Sequence, residues 1–345
     1  MKIIKNVRLG VAAAIVMLLG ITAVSCTDSD EKVIGEVASP EIENVLVADT
    51  LDIVPVTIGY ANNMYIIRGK AFATTQKVYF NDVESYFNPA LGTDTSIFVT
   101  IDVNTPYENA PNKLRVVTKY GVAEYDFVVA PPAPSVHSFN PINTADGGEI
   151  TIYGSFFLDP VVTVGGTPAE IVSSSLTEIH AILPVGSQLK KVEVTTISGS
   201  SEYGTAVGTA IYDDVFYSPW DIESWNNHEY VNNHALAAQG NVYIKKSIDG
   251  WGNIQGNWGW NDQLSGYTGI HFFVRSDDEG KLVWIFNGNG WGDSTHVINT
   301  TPQWQEVRLS WADLGNPAAI QNLSFQEFTG STHVYYLDNI GYTVD

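Results

Sequence analysis

From about residue 40 to its end the chain is a succession of short runs in which apolar and polar residues alternate. "MYIIRG" (64–69), "KVYFNDV" (77–83), "SIFVTIDV" (96–103), "KLRVVT" (113–118) and "YDFVVA" (125–130) are rich in β-branched and aromatic residues, with turn formers between them. A period of two places successive side chains on opposite faces of a strand. No long stretch carries the three-to-four residue spacing of an amphipathic helix, so the pattern predicts an all-β protein.

Comparison of the chain with itself reveals a repeat. "IIRGKAF", ending at Phe72, matches "TIYGSFF", ending at Phe157, and "KVYFNDV" matches "VVTVGGT". "KLRVVTKYGVAEY" matches "KKVEVTTISGSSEY", setting Gly121 against Gly199 and Tyr125 against Tyr203. Each copy is long enough for a seven-strand sandwich. Gly69 and Gly154 fall where backbone must bend or approach closely. "APPAP" (130–134) lies between the copies and reads as a stiff, extended spacer. The divisions are a segment 1–25, a tether 26–39, sandwiches at 40–132 and 133–217, and a third domain at 218–345.

The third domain differs in composition, since all nine tryptophans lie from Trp220 onward. Its expected strands are Val242–Ser247, Ile270–Arg275, Leu282–Asn287, His296–Asn299, Trp304–Ser310, Ile320–Gln326 and His333–Leu337. Short strands at this spacing suggest a jelly roll. In most of them one face is apolar and the other mixes amides, charges and aromatics. Such a face suits sugar, whose C–H patches stack on aromatic rings and whose hydroxyls pair with amides and carboxylates.

The stretch "DGWGNIQGNWGWND" (249–262) sets three indoles among glycines and amides, and "FNGNGWGDS" (286–294) adds a fourth. Exposed aromatic clusters mark partner sites. Trp251, Trp258, Trp260 and Trp291 are the expected stacking platform. Asn253, Gln255, Asn257, Asn287 and Asn289 are the expected hydrogen-bonding groups. Trp284 is a further candidate, on a strand whose two faces are both apolar. Trp304 and Trp311 read as packing residues, while Trp220 and Trp225, near the domain junction, read either way.

Charge narrows the partner. Charged residues are 16% of the chain and the formal net charge is -21, with only 17 Lys and Arg. That balance disfavours nucleic acid, anionic membranes and acidic polysaccharides, so a neutral glycan fits. Signals for catalysis are weak, with no HExxH, GxSxG or phosphate-binding loop. His228 and His234 give a weak metal hint. Glu306 and Asp338 could form a carboxylate pair for glycoside hydrolysis. Asp213 and Asp214 with Asp338 could supply ligands to a structural calcium; no other cofactor is expected.

At the N-terminus, Lys2, Lys5 and Arg8 precede an apolar Val11–Ile21 run, too short to span a bilayer comfortably, and then small residues before the single cysteine, Cys26. This reads as a secretory signal. "AVSC" resembles a bacterial lipobox, which implies cleavage before Cys26 and its lipidation. The acidic "TDSDE" that follows resembles the tag that places lipoproteins of the Bacteroidota on the outer surface.

The I-x-G-x-x-F pattern with its following strand and turn resembles the IPT/TIG immunoglobulin-like domain over roughly residues 40–217. Taken with the lipobox and the Trp-rich jelly roll, whose "WQEVRLSWADL" and "YYLDNIGY" resemble closing strands of carbohydrate-binding modules, the chain resembles the B-type, SusD-associated surface glycan-binding lipoproteins of Bacteroidota polysaccharide-utilisation loci. The resemblance implies a non-catalytic outer-membrane protein that captures a β-glucan (xyloglucan, mixed-linkage or β-1,3-glucan) for a SusC/SusD-like TonB-dependent importer. A surface glycoside hydrolase and a protein-binding adhesin are the alternative readings.

Overall fold

A computed structural model describes residues 38–48, 54–217, 221–256 and 264–344. Cys26 and the apolar segment before it, Trp220, Asn257, Trp258 and Trp260 lie outside the described residues. The described regular structure is β-strand with three short 3-10 turns, so the protein is all-β. The chain divides after Ala130 into two compact units.

In the first unit, Met64–Lys70 is the centre of a three-stranded antiparallel sheet between Glu41–Val47 and Ser96–Thr100. A four-stranded sheet runs Val83–Ser85, Thr75–Phe80, Lys113–Thr118, Gly121–Asp126. Their alternating inward residues, among them Tyr65, Ile67, Val78, Phe80 and Val116, form one core, which Phe127, just past the last of these strands, joins. The second unit opens with the same plan. Ser135–Asn140, Glu149–Ser155, Glu178–Ile182 and Glu170–Ser174 form one sheet; Thr167–Pro168, Val161–Val164, Lys191–Thr196 and Gly199–Ala206 form the other.

The repeated glycine has the same physical cause in both copies. A Cβ on Gly69 would lie 1.9 Å from the carbonyl of Glu41 and 2.5 Å from the ring of Phe72; on Gly154 it would lie 2.1 Å from the carbonyl of Ser135 and 2.3 Å from the ring of Phe157. The phenylalanine three residues on fills the space the glycine leaves, and its N–H bonds across the sheet end, Phe72 to Asp94 and Phe157 to Leu176.

The third domain is a jelly-roll-like sandwich. Its large sheet is organised by the eleven-residue strand His333–Thr343, which pairs along one edge with Gly269–Ser276 and along the other with Val242–Ile248 and Ala210–Asp213. The chain thus enters this sheet ahead of residue 218. The smaller sheet runs Asn253–Gln255, Leu323–Glu327, Gly280–Phe286, Val297–Thr300. Ile254, Phe272, Val274, Leu282, Trp284, Phe325 and Leu337 lie in the core between them. The expected strands of this domain are present, most with ends shifted by no more than three residues; the last runs six residues beyond the expected Leu337, to Thr343. Glu229–Asn232 and Asn253–Gln255 were not anticipated; each is too short to show a period.

The second sandwich and the third domain share a buried polar junction. Asp213 accepts from the Ile142 N–H (2.5 Å) and the Asn140 amide (3.0 Å). Asp214 accepts from the N–H groups of Asn241 (2.6 Å) and Val242 (2.7 Å). Asp338 accepts from the N–H groups of Ala238 (2.8 Å), Gln239 (3.0 Å) and Asn339 (2.8 Å). Burial raises the Asp213 carboxyl to about 6 and lifts Asp338 well above the usual range. These carboxylates face N–H donors, whose positive ends would repel a cation, so the set does not fit the structural calcium they could have held. Among the described residues no group of three His, Cys, Asp or Glu is placed to hold a metal ion. His234 instead donates from Nδ1 to the carbonyl of Gly240, 2.7 Å away. The Glu306–Asp338 pair is also corrected: Asp338 is fully buried, while Glu306 contacts His271 and Arg308.

Candidate functional site

The smaller sheet of the third domain carries the site on its outer face. Its register opposes Asn253 to Gln326 and Gln255 to Ser324, so these four polar side chains share one face. Ile254 and Phe325, one residue out of phase, point into the core. Beside this amide floor is a groove of about 480 Å³ flanked by Trp225 and Trp291, with Glu223, Gln255, Asn322 and Ser324 also lining it. Both indoles are open, Trp225 at 58% and Trp291 at 44% exposure.

Trp225 owes its position to its neighbour. It sits in the 3-10 turn Ser224–Asn226, and Asn226 is buried. The Asn226 side chain accepts from the Gln255 N–H (2.9 Å) and donates to the carbonyls of Gln255 (3.0 Å) and Glu223 (2.9 Å). It therefore completes the free edge of strand Asn253–Gln255 as another strand would. Asn226→Ala is expected to cost about 1–3 kcal/mol through the buried backbone groups it abandons, and to weaken glycan binding by freeing Trp225. A chemical-denaturation curve and a binding isotherm check both, and unchanged binding would refute the positioning role.

Trp251 lies at the other end of the floor. It is 57% exposed and adopts a left-handed φ of 64°. Its N–H donates to Glu327 (3.0 Å), which also accepts from the N–H groups of Gly330 (2.9 Å) and Thr329 (2.5 Å). Its ring packs edge-on to Phe328, and a Cβ on Gly330 would lie 3.1 Å from it. Gln326 ties the two ends together, donating to the Trp251 carbonyl (3.4 Å) and accepting from the Gly292 N–H (3.0 Å).

Burial pushes the Glu327 carboxyl up, but the hydrogen bonds from Thr329, Trp251 and Gly330 outweigh it and hold the group below the usual 4.5. A depressed carboxylate contributes stability that is present above its unfolded value and is lost as pH falls through its folded value. Acidification below about 4.5 is thus expected to destabilise this corner, and Glu327→Gln should flatten that part of the profile. Urea titrations of both proteins between pH 3 and pH 6 check it.

The expected site residues divide. Asn253 lies on the outer face with Gln255, Trp291 lines the groove, and Trp251 is exposed beyond the groove lining. Trp284 does not: it is 8% exposed, belongs to the core, and stacks on His296 at 3.7 Å. Asn287 is also corrected. Its side chain donates to the Ala319 carbonyl (2.8 Å) and accepts from the N–H groups of Gln321 (2.6 Å) and Asn322 (3.3 Å), so it braces a loop. Asn289 is exposed on the far side of the turn from the groove. Trp304 and Trp311 use their ring N–H groups on the carbonyls of Leu236 and Tyr267, as packing residues do. The sequence leaves the role of Trp225 open and does not single out Asn226, although "ESWNNHEYVNN" sets an aromatic among amides just as the Trp-rich loop does.

The IPT/TIG domain family matches residues 134–207, and the second sandwich is an IPT/TIG domain. An IPT/TIG domain-containing protein of Bacteroides ovatus is 29% identical over 148 residues. The match covers 40% of this chain and 29% of that protein, so the chain spans less than a third of its relative's length. Among solved structures, the surface glycan-binding protein B of Prevotella bryantii is similar over 89% of this chain and 99% of that one, at 15% identity and a TM-score of 0.49. Another such protein, from a complex xyloglucan utilisation locus of Bacteroides uniformis, is similar over 89% of this chain and 100% of that one, at 16% identity and a TM-score of 0.34.

Proposed function

We propose that the third domain captures a neutral polysaccharide, a β-glucan, in the groove between Trp225 and Trp291. The observation that carries this is the pairing of two open indoles across a floor of amides and hydroxyls. Indole faces take the C–H faces of successive pyranose rings, and Gln255, Asn322 and Ser324 take their hydroxyls. Glu223 in the groove and the net charge of -21 disfavour acidic glycans. The Bacteroides uniformis protein comes from a xyloglucan locus, which makes xyloglucan the first glycan to test.

The reading is of a binding protein without a catalytic step. Of the carboxylate pair considered for hydrolysis, Asp338 is sealed in the junction, out of reach of a substrate. Lipidation at Cys26 would hold the chain at the outer membrane facing outward, where many copies engaging one long chain raise effective affinity, and a SusC/SusD-like importer would take fragments onward. Trp258, Trp260 and Asn257 remain part of this proposal as further contacts.

Affinity electrophoresis against xyloglucan, mixed-linkage glucan, β-1,3-glucan, mannan and an acidic pectin is the test. Retardation by one or more of the β-glucans and none by pectin supports the reading. Reducing-sugar release would favour a hydrolase, and no retardation by any glycan would favour an adhesin.

A further inference from the structure

Resting on the groove reading, we propose that a second cavity, on the other side of the Phe286–Asn289 turn, is a subsite for one neutral pyranose branching from the captured chain.

The turn is a rigid partition. Phe286 and Asn289 exchange backbone hydrogen bonds of 3.0 and 2.9 Å, and the two residues between them, Asn287 and Gly288, take left-handed φ values of 51° and 76°. This is the two-residue Asn-Gly hairpin turn whose twist suits flanking strands. Asn287, bound to the 319–322 segment, fixes it from one side. Gly288 borders the groove, whereas Asn287 and Asn289 border the second cavity. One hairpin backbone thus borders both spaces.

The second cavity has sugar-like chemistry and room for one ring. Its volume is about 290 Å³, just under the range of about 300–1,000 Å³ for drug-sized ligands, as suits a single ring. The stacked Trp284–His296 pair, Phe286, Leu314 and Pro317 supply an apolar wall; Asn289 and Asp313 supply polar groups at its rim. Asp313 accepts at Oδ2 from the Ser310 N–H (2.9 Å) and hydroxyl (2.7 Å), which hold its carboxyl below the usual range. An ionised carboxylate accepts from sugar hydroxyls and repels an acidic sugar. Trp284, buried and stacked on His296, thereby serves as part of the apolar wall of the subsite. Glycan backbone in the groove and branch over the turn would explain why two cavities share one wall.

Isothermal titration of the full soluble chain with cellohexaose and with an α-xylosylated oligosaccharide of the same backbone length tests this. The wild-type protein should prefer the branched ligand about tenfold. Asn289→Trp, an exposed substitution that plugs the cavity mouth, should bring the branched ligand down to the linear one and leave the linear one unchanged. Asn289→Ala should lower the preference about threefold. Circular dichroism melting confirms that both variants fold. No wild-type preference, or a preference that survives Asn289→Trp, overturns the subsite while the groove reading stands. Failure of the wild-type protein to bind either ligand overturns both, and loss of both ligands in a Trp225→Ala/Trp291→Ala variant upholds the groove separately.

Discussion

Replacing Trp225 and Trp291 together by alanine is expected to abolish retention by the polysaccharide while leaving the fold intact. Both rings are about half exposed, and neither belongs to the core between the two sheets. Removing them therefore creates no cavity, and a stability change within about 0.5 kcal/mol is expected, as for most surface substitutions. The binding effect is much larger. An aromatic face stacked on a partner is worth about 1.5 kcal/mol at the upper end, which is roughly tenfold in affinity per ring. The two rings flank one groove and share one ligand, so the double variant should lose roughly a hundredfold, with some departure from additivity. On an array of anchored copies the loss would multiply, since avidity depends on each weak contact. Affinity electrophoresis and titration with a β-glucan oligosaccharide measure it. A double variant that binds within twofold of the wild type would remove the groove as the site. Trp251→Ala alone should then be compared, because its ring stands beyond the groove lining and would report how far the platform extends.

The largest stability effect is expected from Asp338→Ala. Its carboxylate is fully buried on the strand that organises the large sheet, and it accepts from three backbone N–H groups. Ala238 and Gln239 belong to the segment that reaches back to the second sandwich, where the Gln239 side chain donates to the Phe139 carbonyl and accepts from the Tyr203 hydroxyl. Alanine would strand these donors, each at a cost of about 1–3 kcal/mol when buried. Relief of a buried carboxylate offsets part of this, and a net loss of about 3 kcal/mol is expected. For a unit of this size that corresponds to a fall in Tm of roughly 6–12 °C. The pH dependence carries a sign. Burial raises the Asp338 carboxyl above its unfolded value of 3.8, so its contribution is fully present below that value and falls as pH rises through the folded one. The wild-type advantage over Asp338→Ala should accordingly be greater at pH 4 than at pH 8. Denaturation at the two pH values decides it, and equal penalties would refute the buried-carboxylate account.

The strands were legible because a β-sandwich writes itself in a period of two. Phe272 and Val274 point inward and Phe273 outward because adjacent side chains must diverge, and no distant residue alters that. The I-x-G-x-x-F repeat was legible for a similar reason. Glycine and phenylalanine three residues apart form a local lock, with the ring occupying the volume that a Cβ would need. The site was less legible. Trp284 and Trp291 are seven residues apart in similar sequence, yet one is sealed and the other open. Parity could not separate them, since both faces of Leu282–Phe286 are apolar and buried. Trp225 drew less attention than the Trp-rich loop. Its position depends on Asn226 finding the edge of a strand some thirty residues away, a pairing that leaves no trace in local composition.

By itself the sequence determined that this chain is a series of β-sandwiches, that two of them are copies and that the aromatic-rich one comes last, and its net charge set the expectation of a neutral partner. Those follow from alternation, repetition and net charge, which are properties of the chain before it folds. Only the tertiary structure decided which indoles face water, that Asp213 and Asp338 brace a junction instead of gathering a cation, and that one two-residue turn stands between two cavities. Each of these depends on which distant backbone N–H groups and sheet edges come to lie beside a side chain, and folding alone sets that.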